Sequence, residues 1–252
     1  MALLPVLTFH AVDDQPSMIS FPPQLFERSM ALLYDRGFQA LGLLEVVKRL
    51  RQGLPFPERS FAITFDDGYQ SVYQHAFPIL QRYGFSGTVF LAVGENGNHK
   101  GSERLPSMCE RSMLSWREVK EMNECGITFG AHTLTHPDLT RLPFEKIQNE
   151  VYGSKAIIED ALGTQVACFA YPYGYYDDQC REVVSHHFIC ACSDTLGLVR
   201  AGSDPYAIER VDSYYVRSDR LFDVMLTSLF PWYVRLRSIP RELRRAIQSS
   251  YR

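Results

Sequence analysis

Nowhere in these 252 residues is there an apolar run long enough to cross a bilayer as a helix. Nor is there an excess of positive charge. Twenty-six Lys and Arg stand against 29 Asp and Glu, a net charge of −3, which leaves no basic footprint for nucleic acid. The amino terminus, Met1-Ala2-Leu3-Leu4-Pro5, lacks the basic start, long apolar stretch and small-residue cleavage site of a secretory leader, so a cytoplasmic protein is expected. The six cysteines (109, 125, 168, 180, 190 and 192) show no closely spaced zinc pattern such as paired C-x-x-C. They read as reduced thiols, with Cys168 and Cys190 buried and Cys190 and Cys192 on one face of a strand. Internal repeats and low-complexity segments are missing as well.

What the chain does have is alternation. Short apolar runs at 5–9, 38–41, 61–65, 86–91, 127–131, 167–170, 188–193 and 208–212 read as strands. Segments with helical spacing lie between them, at 23–36, 43–52, 71–83, 115–123, 144–162 and 180–185. Gly37, Gly84, Gly126 and Gly163 are placed to end helices, Ser115 to start one, and Pro78 to kink one. Residues 94–111 read as a long surface loop on the substrate side. Strand–helix alternation over this length implies a parallel sheet, closed or nearly closed, in one large domain.

Two stretches carry the chemistry. The buried run Phe61-Ala62-Ile63-Thr64-Phe65 ends in Asp66-Asp67-Gly68-Tyr69. Two carboxylates at the end of a buried strand are costly unless something compensates them: a metal ion, or a division in which one binds metal and the other handles protons. An Asp-rich helix cap is the plainer alternative. Gly68 permits a sharp exit turn. The second stretch, Ala131-His132-Thr133-Leu134-Thr135-His136-Pro137, places two histidines four residues apart, a spacing that can converge them. Two His and one Asp suit zinc or a similar divalent ion with positions left open for water and substrate.

Thr64-Phe65-Asp66-Asp67-Gly68-Tyr69, His132-Thr133-Leu134-Thr135-His136 and Phe169-Ala170-Tyr171-Pro172-Tyr173-Gly174 resemble, in order, the first three motifs of the polysaccharide deacetylases (carbohydrate esterase family 4, the NodB homology domain). The resemblance covers roughly residues 5–217 and implies a distorted barrel of seven or eight strands that hydrolyses N-acetyl groups on sugars. It implies that Asp67, His132 and His136 hold the metal, zinc first with Co, Ni, Mn and Fe also suited, and that Asp66 is the general base. The Tyr173 N–H would support the oxyanion, and Tyr69, Tyr171 and Pro172 would line the substrate site. An ordinary turn aromatic is the plainer reading of Tyr173.

Two departures mark a branch. The family's Arg beside the base is Ala170 here, and Arg210, in Ile208-Glu209-Arg210-Val211, could reach the same carboxylate from another strand. A structural ion pair is its plainer reading. No histidine follows His187 to act as the late general acid. His10, closing Val6-Leu7-Thr8-Phe9, resembles the amino-terminal acid of poly-N-acetylglucosamine deacetylases, with His186–His187 a second candidate. The departures point to an exopolysaccharide-type substrate, polymeric or lipid-linked. A small-molecule C–N hydrolase of allantoinase or cyclic-imidase type, an inactive glycan-binding domain and a metal-free barrel are the alternatives.

The tail from 219 to 252 reads as a helical extension to the 1–218 barrel. It carries an aromatic-rich apolar stripe (Leu221 to Tyr233) and a basic face (Arg235, Arg237, Arg241, Arg244, Arg245). Three readings stay open: packing on the barrel, peripheral membrane contact at the inner face, or a homodimer contact.

Overall fold

The computed structural model describes residues 3–94, 105 and 110–249, with side chains as far as residue 240. Among the described residues are eight strands and eight α-helices, mostly in alternation: β1 (Val6–Phe9), α1 (Pro23–Asp35), β2 (Gln39–Ala40), α2 (Leu43–Gln52), β3 (Ser60–Phe65), α3 (Phe77–Tyr83), β4 (Thr88–Leu91), α4 (Trp116–Glu124), β5 (Thr128–Ala131), α5 (Phe144–Leu162), β6 (Cys168–Ala170), α6 (Asp178–His187), β7 (Cys190–Leu196), β8 (Ile208–Asp212), α7 (Asp219–Met225) and α8 (Phe230–Ser249). Every pairing between these strands is parallel. β1 pairs with both β8 and β3, so seven strands close in the order β1-β8-β7-β6-β5-β4-β3. The expected 38–41 strand shrinks to two residues that pair only with the start of β3, outside the closed ring. The result is a single-domain, distorted seven-stranded (β/α) barrel.

Side-chain alternation divides the core in two. Inward-facing Val6, Ala62, Phe90, Cys168, Ala170, Cys190, Cys192 and Ile208 fill the barrel. The alternate residues, among them Phe61, Ile63, Phe65, Phe129, Phe169 and Val211, pack under the helices. Burial on both faces explains why β3 reads as one continuous apolar run.

Several helix boundaries follow local chemistry. Ser115 and Glu118 form a reciprocal capping box on α4, and Asp177 and Ser218 cap α6 and α7. The expected 71–83 helix is two pieces: a π-helical turn at Val72–Ala76, then α3 with Pro78 in its first turn, where a missing N–H costs nothing. α6 starts two residues earlier and ends two later than expected, because Asp177 rather than Cys180 marks its start. β7 runs on to Leu196 through a bulge opposite β8. Of the expected 94–111 loop, 95–104 and 106–109 lie outside the described residues, as do the side chains of Arg241, Arg244 and Arg245.

Candidate metal centre and active site

The strand ends deliver the predicted residues to one place. β3 ends at Phe65, so Asp66 and Asp67 emerge at the barrel's carboxyl-end rim, and β5 ends at Ala131, so His132 emerges beside them. His132 Nε2 lies 3.4 Å and His136 Nε2 3.5 Å from Asp67 Oδ1, and the two Nε2 atoms are 3.1 Å apart. Ligands held at about 2.1 Å around a tetrahedral zinc ion stand about 3.4 Å from one another, so the donor set fits such an ion. His132 Nδ1 donates to the Ala170 carbonyl at 2.7 Å, which turns its Nε2 toward the cluster. Asp67, His132 and His136 thus present three ligand atoms, within 4.8 Å of one another, that could hold one metal ion.

The local backbone is bent to hold this arrangement. Asp67 (φ 74°), Thr133 (φ 69°), His136 (φ 58°) and Tyr173 (φ 57°) are four of the six described non-glycine residues with positive φ. Such conformations cost about 1–3 kcal/mol each and persist where the surroundings impose them. One imposing group is Glu150 of α5. Its carboxylate accepts the N–H of Leu134 (2.8 Å), the N–H of Thr135 (2.9 Å) and the Thr135 hydroxyl (2.7 Å). Thr133 Oγ1 accepts the His136 N–H at 2.9 Å. At Gly68 (φ 86°), a Cβ would come within 2.8 Å of Leu91, so the turn after Asp67 admits no side chain.

Asp66 stands apart from the triad. Both its oxygens accept from Arg210, each at 2.8 Å, and both side chains are buried. Arg210 is itself held by the Ser193 carbonyl at 2.9 Å and Thr64 Oγ1 at 3.3 Å. The β7 bulge spans Ser193, and such a bulge frees a carbonyl from the ladder to serve another group. Removing one partner of a buried ion pair typically costs about 3–5 kcal/mol.

Burial works to raise the Asp66 carboxyl, but Arg210, then His132 and His10, outweigh it and hold it below its ordinary value. Burial likewise opposes Asp67, yet the His132 hydrogen bond and the charges of His10, His132 and His136 keep it well below the carboxylate range. Burial, then the neighbouring His132, lowers His136 to about 4. Both carboxylates are therefore ionised at neutral pH.

The other expected residues divide. Half-buried His10, at the end of β1, acts on both carboxylates through its charge. His186 and His187 end α6, and the His187 ring lies against Tyr152 of α5 on the outside of the barrel. Tyr173 is 57% exposed, its ring 4.7 Å from that of His136. None of the three residues expected to line the substrate site is exposed. Tyr171 is fully buried, stacked on Tyr176 and edge-on to Phe169, because alternation along β6 turns Ala170 into the barrel and Tyr171 out of it. Pro172 is buried in the turn. Tyr69 is buried beside Arg111, and lines a polar cavity of about 210 Å³ with Asp13, Gln15, Gln70 and Arg111. Sequence reading missed Glu150 altogether, and it missed the part played by the Ser193 carbonyl.

A parallel barrel that brings an Asp-His-His cluster and a separately paired carboxylate to its carboxyl-end rim belongs to the class of (β/α) barrels with the donors of a three-ligand metal site. A family model for polysaccharide deacetylases matches residues 53–189, more than half of the chain, and the chain belongs to that family. YxkH of Bacillus subtilis, which carries a provisional polysaccharide deacetylase name, is 33% identical over 178 residues, 71% of this chain and 59% of YxkH. The poly-β-1,6-N-acetyl-D-glucosamine N-deacetylase of Staphylococcus aureus is 28% identical over 168 residues, 63% of this chain and 55% of that protein. The chain thus spans little more than half the length of these curated relatives. The Streptococcus pyogenes deacetylase PplD, solved with acetate, shares the fold with a TM-score of 0.75 at 24% identity, covering 84% of this chain and 92% of PplD.

Proposed function

We propose that the protein is a metal-dependent N-deacetylase acting on N-acetylglucosamine-type residues of a polysaccharide or a lipid-linked exopolysaccharide precursor. One observation carries the reading: an ionised carboxylate, Asp66, fixed by Arg210 beside a ligand cluster of Asp67, His132 and His136. A catalytically inactive glycan binder has no use for a base beside the ligands. The activity named for the Staphylococcus aureus relative supports the substrate class.

Asp67, His132 and His136 would hold the divalent ion, zinc by donor type, with Co, Ni, Mn and Fe also suited. When bound, such an ion polarises the acetyl carbonyl and acidifies water. Asp66 takes the water's proton, and Arg210 keeps it ionised and aimed. His10 returns a proton to the departing amine. The Tyr173 N–H supports the developing oxyanion, and its exposed ring forms part of the sugar-facing surface. We place the activity at the cytoplasmic face of the membrane, and cell fractionation tests that placement.

The experiment is acetate release from N-acetylglucosamine oligomers of several lengths, with wild type, Asp66→Asn and His10→Ala loaded with zinc. Expected is loss of activity in Asp66→Asn with metal still bound, and a drop of about 10²–10⁴-fold in His10→Ala. Asp66→Asn unpairs Arg210, so its rates are read at temperatures where circular dichroism shows the variant folded. No acetate from any oligomer, with a filled metal site, would favour the small-molecule C–N hydrolase.

A further inference from the structure

Helix α8 is apolar on two opposite sides. On one side Phe230 and Val234 are buried in the core shared with the barrel helices. The Tyr233 hydroxyl donates to the Tyr215 carbonyl at 2.5 Å, three residues beyond the end of β8. The start of α8 is thereby clamped to the rim that carries the site. On the other side Leu229, Trp232, Leu236 and Ile239 are 64%, 73%, 68% and 46% exposed. Spacings of three, four and three residues align them in one stripe along the helix. Single exposed apolar residues are ordinary, but a contiguous stripe marks a contact surface.

The surrounding charge identifies the partner. Residues 230–252 contain six arginines and one glutamate, a local +5 within a chain whose total is −3. Arg235 and Arg237, both exposed, lie to either side of the stripe. A second copy of this chain, brought stripe to stripe, would set these arginines against their counterparts, and like charges at a contact are repelled. We infer that the stripe docks on an anionic lipid surface. Trp232 and the aliphatic side chains enter the interfacial layer, and the guanidinium groups pair with phosphate headgroups. This deepens the proposed function, since docking there would hold the rim near a lipid-linked glycan, and it rests on that reading only for its purpose.

The test is cosedimentation of the full chain with vesicles of phosphatidylcholine alone or with about one third phosphatidylglycerol, at low and high salt. It is run alongside the Trp232→Ser/Leu236→Ser and Arg235→Gln/Arg237→Gln variants. Expected is binding to the anionic vesicles only, weakened by salt. The arginine pair variant should bind about 30-fold more weakly, at about 1 kcal/mol for each arginine. The tryptophan emission should shift to the blue on binding; Trp116 is buried, so the shift reports Trp232. Failure to bind anionic vesicles, equal binding to both compositions, or a dimer in solution that Trp232→Ser/Leu236→Ser dissociates would each overturn the inference. Acetate release from soluble oligomers is followed in parallel. Its absence with vesicle binding intact would sink the deacetylase reading alone, and its persistence without vesicle binding would sink the docking alone.

Discussion

Glu150 shapes the turn that carries His136 without joining the ligand cluster. It approaches from a neighbouring helix and takes up two backbone N–H groups and a hydroxyl in the turn between His132 and His136. That turn includes two residues with positive φ, Thr133 and His136, and without an anchor it would relax. Glu150→Ala is expected to weaken zinc or cobalt binding by about 10–100-fold in calorimetric titration, the usual effect of losing a group that orients a ligand. Glu150→Gln should fall between, because its amide keeps one acceptor oxygen and loses the other. Unchanged affinity in Glu150→Ala would reduce the residue to packing. Nothing in the sequence announces Glu150, which sits on a regular amphipathic helix well beyond the motif it serves. Asp66, Asp67, His132 and His136 were legible because both pairs follow directly on short apolar strands, and parallel strands bring such ends to one rim. For Tyr171 the motif says less than strand alternation does. The parity that sends Cys168 and Ala170 inward sends Tyr171 outward.

At the level of elements, β5 can deliver His132 only because its middle residue is bare. A Cβ on Gly130 would lie 2.5 Å from the Phe90 ring, which fills the barrel, and 2.8 Å from the Cys168 carbonyl on the next strand. Gly130→Ala must push a strand or a ring aside. The expected loss is about 1–3 kcal/mol in urea unfolding, with weaker metal binding as β5 shifts. A variant of wild-type stability would mean the interior yields more than its packing implies. The strand–helix alternation, the helix start at Ser115 and the glycine stops were legible, since each depends on neighbours in the chain. The β7 bulge and the π-turn at Val72–Ala76 were not, because each is decided by pairing or packing with distant residues.

On the scale of the whole molecule, the boundary expected at 218 runs through a continuous core. Phe222, Met225, Phe230 and Val234 are buried in the same cluster as the outer layer of the barrel. Each contributes about 1.5–3 kcal/mol of burial against a typical domain stability of about 5–15 kcal/mol. A chain cut after residue 218 should lose cooperative unfolding in a thermal scan followed by circular dichroism, and one cut after residue 240 should keep it. An unchanged transition in the shorter chain would make the tail an independent appendage. The apolar stripe of the tail was visible in the sequence, but its division into a buried and an exposed face was not. Both faces are apolar, so periodicity alone cannot tell which one meets the barrel.

The pairing of β1 with both β3 and β8 also orders events in time. Asp67 follows β3, and His132 and His136 follow β5, so the ligand cluster can assemble while the rest of the chain is still being made. Arg210 arrives only with β8, several seconds later at about 5–20 residues per second. During that interval Asp66 sits at the end of a hydrophobic strand with no counter-ion of its own. A metal ion captured early would supply one, so the abundance of that ion during synthesis would bear on how many chains close correctly, before any substrate is met.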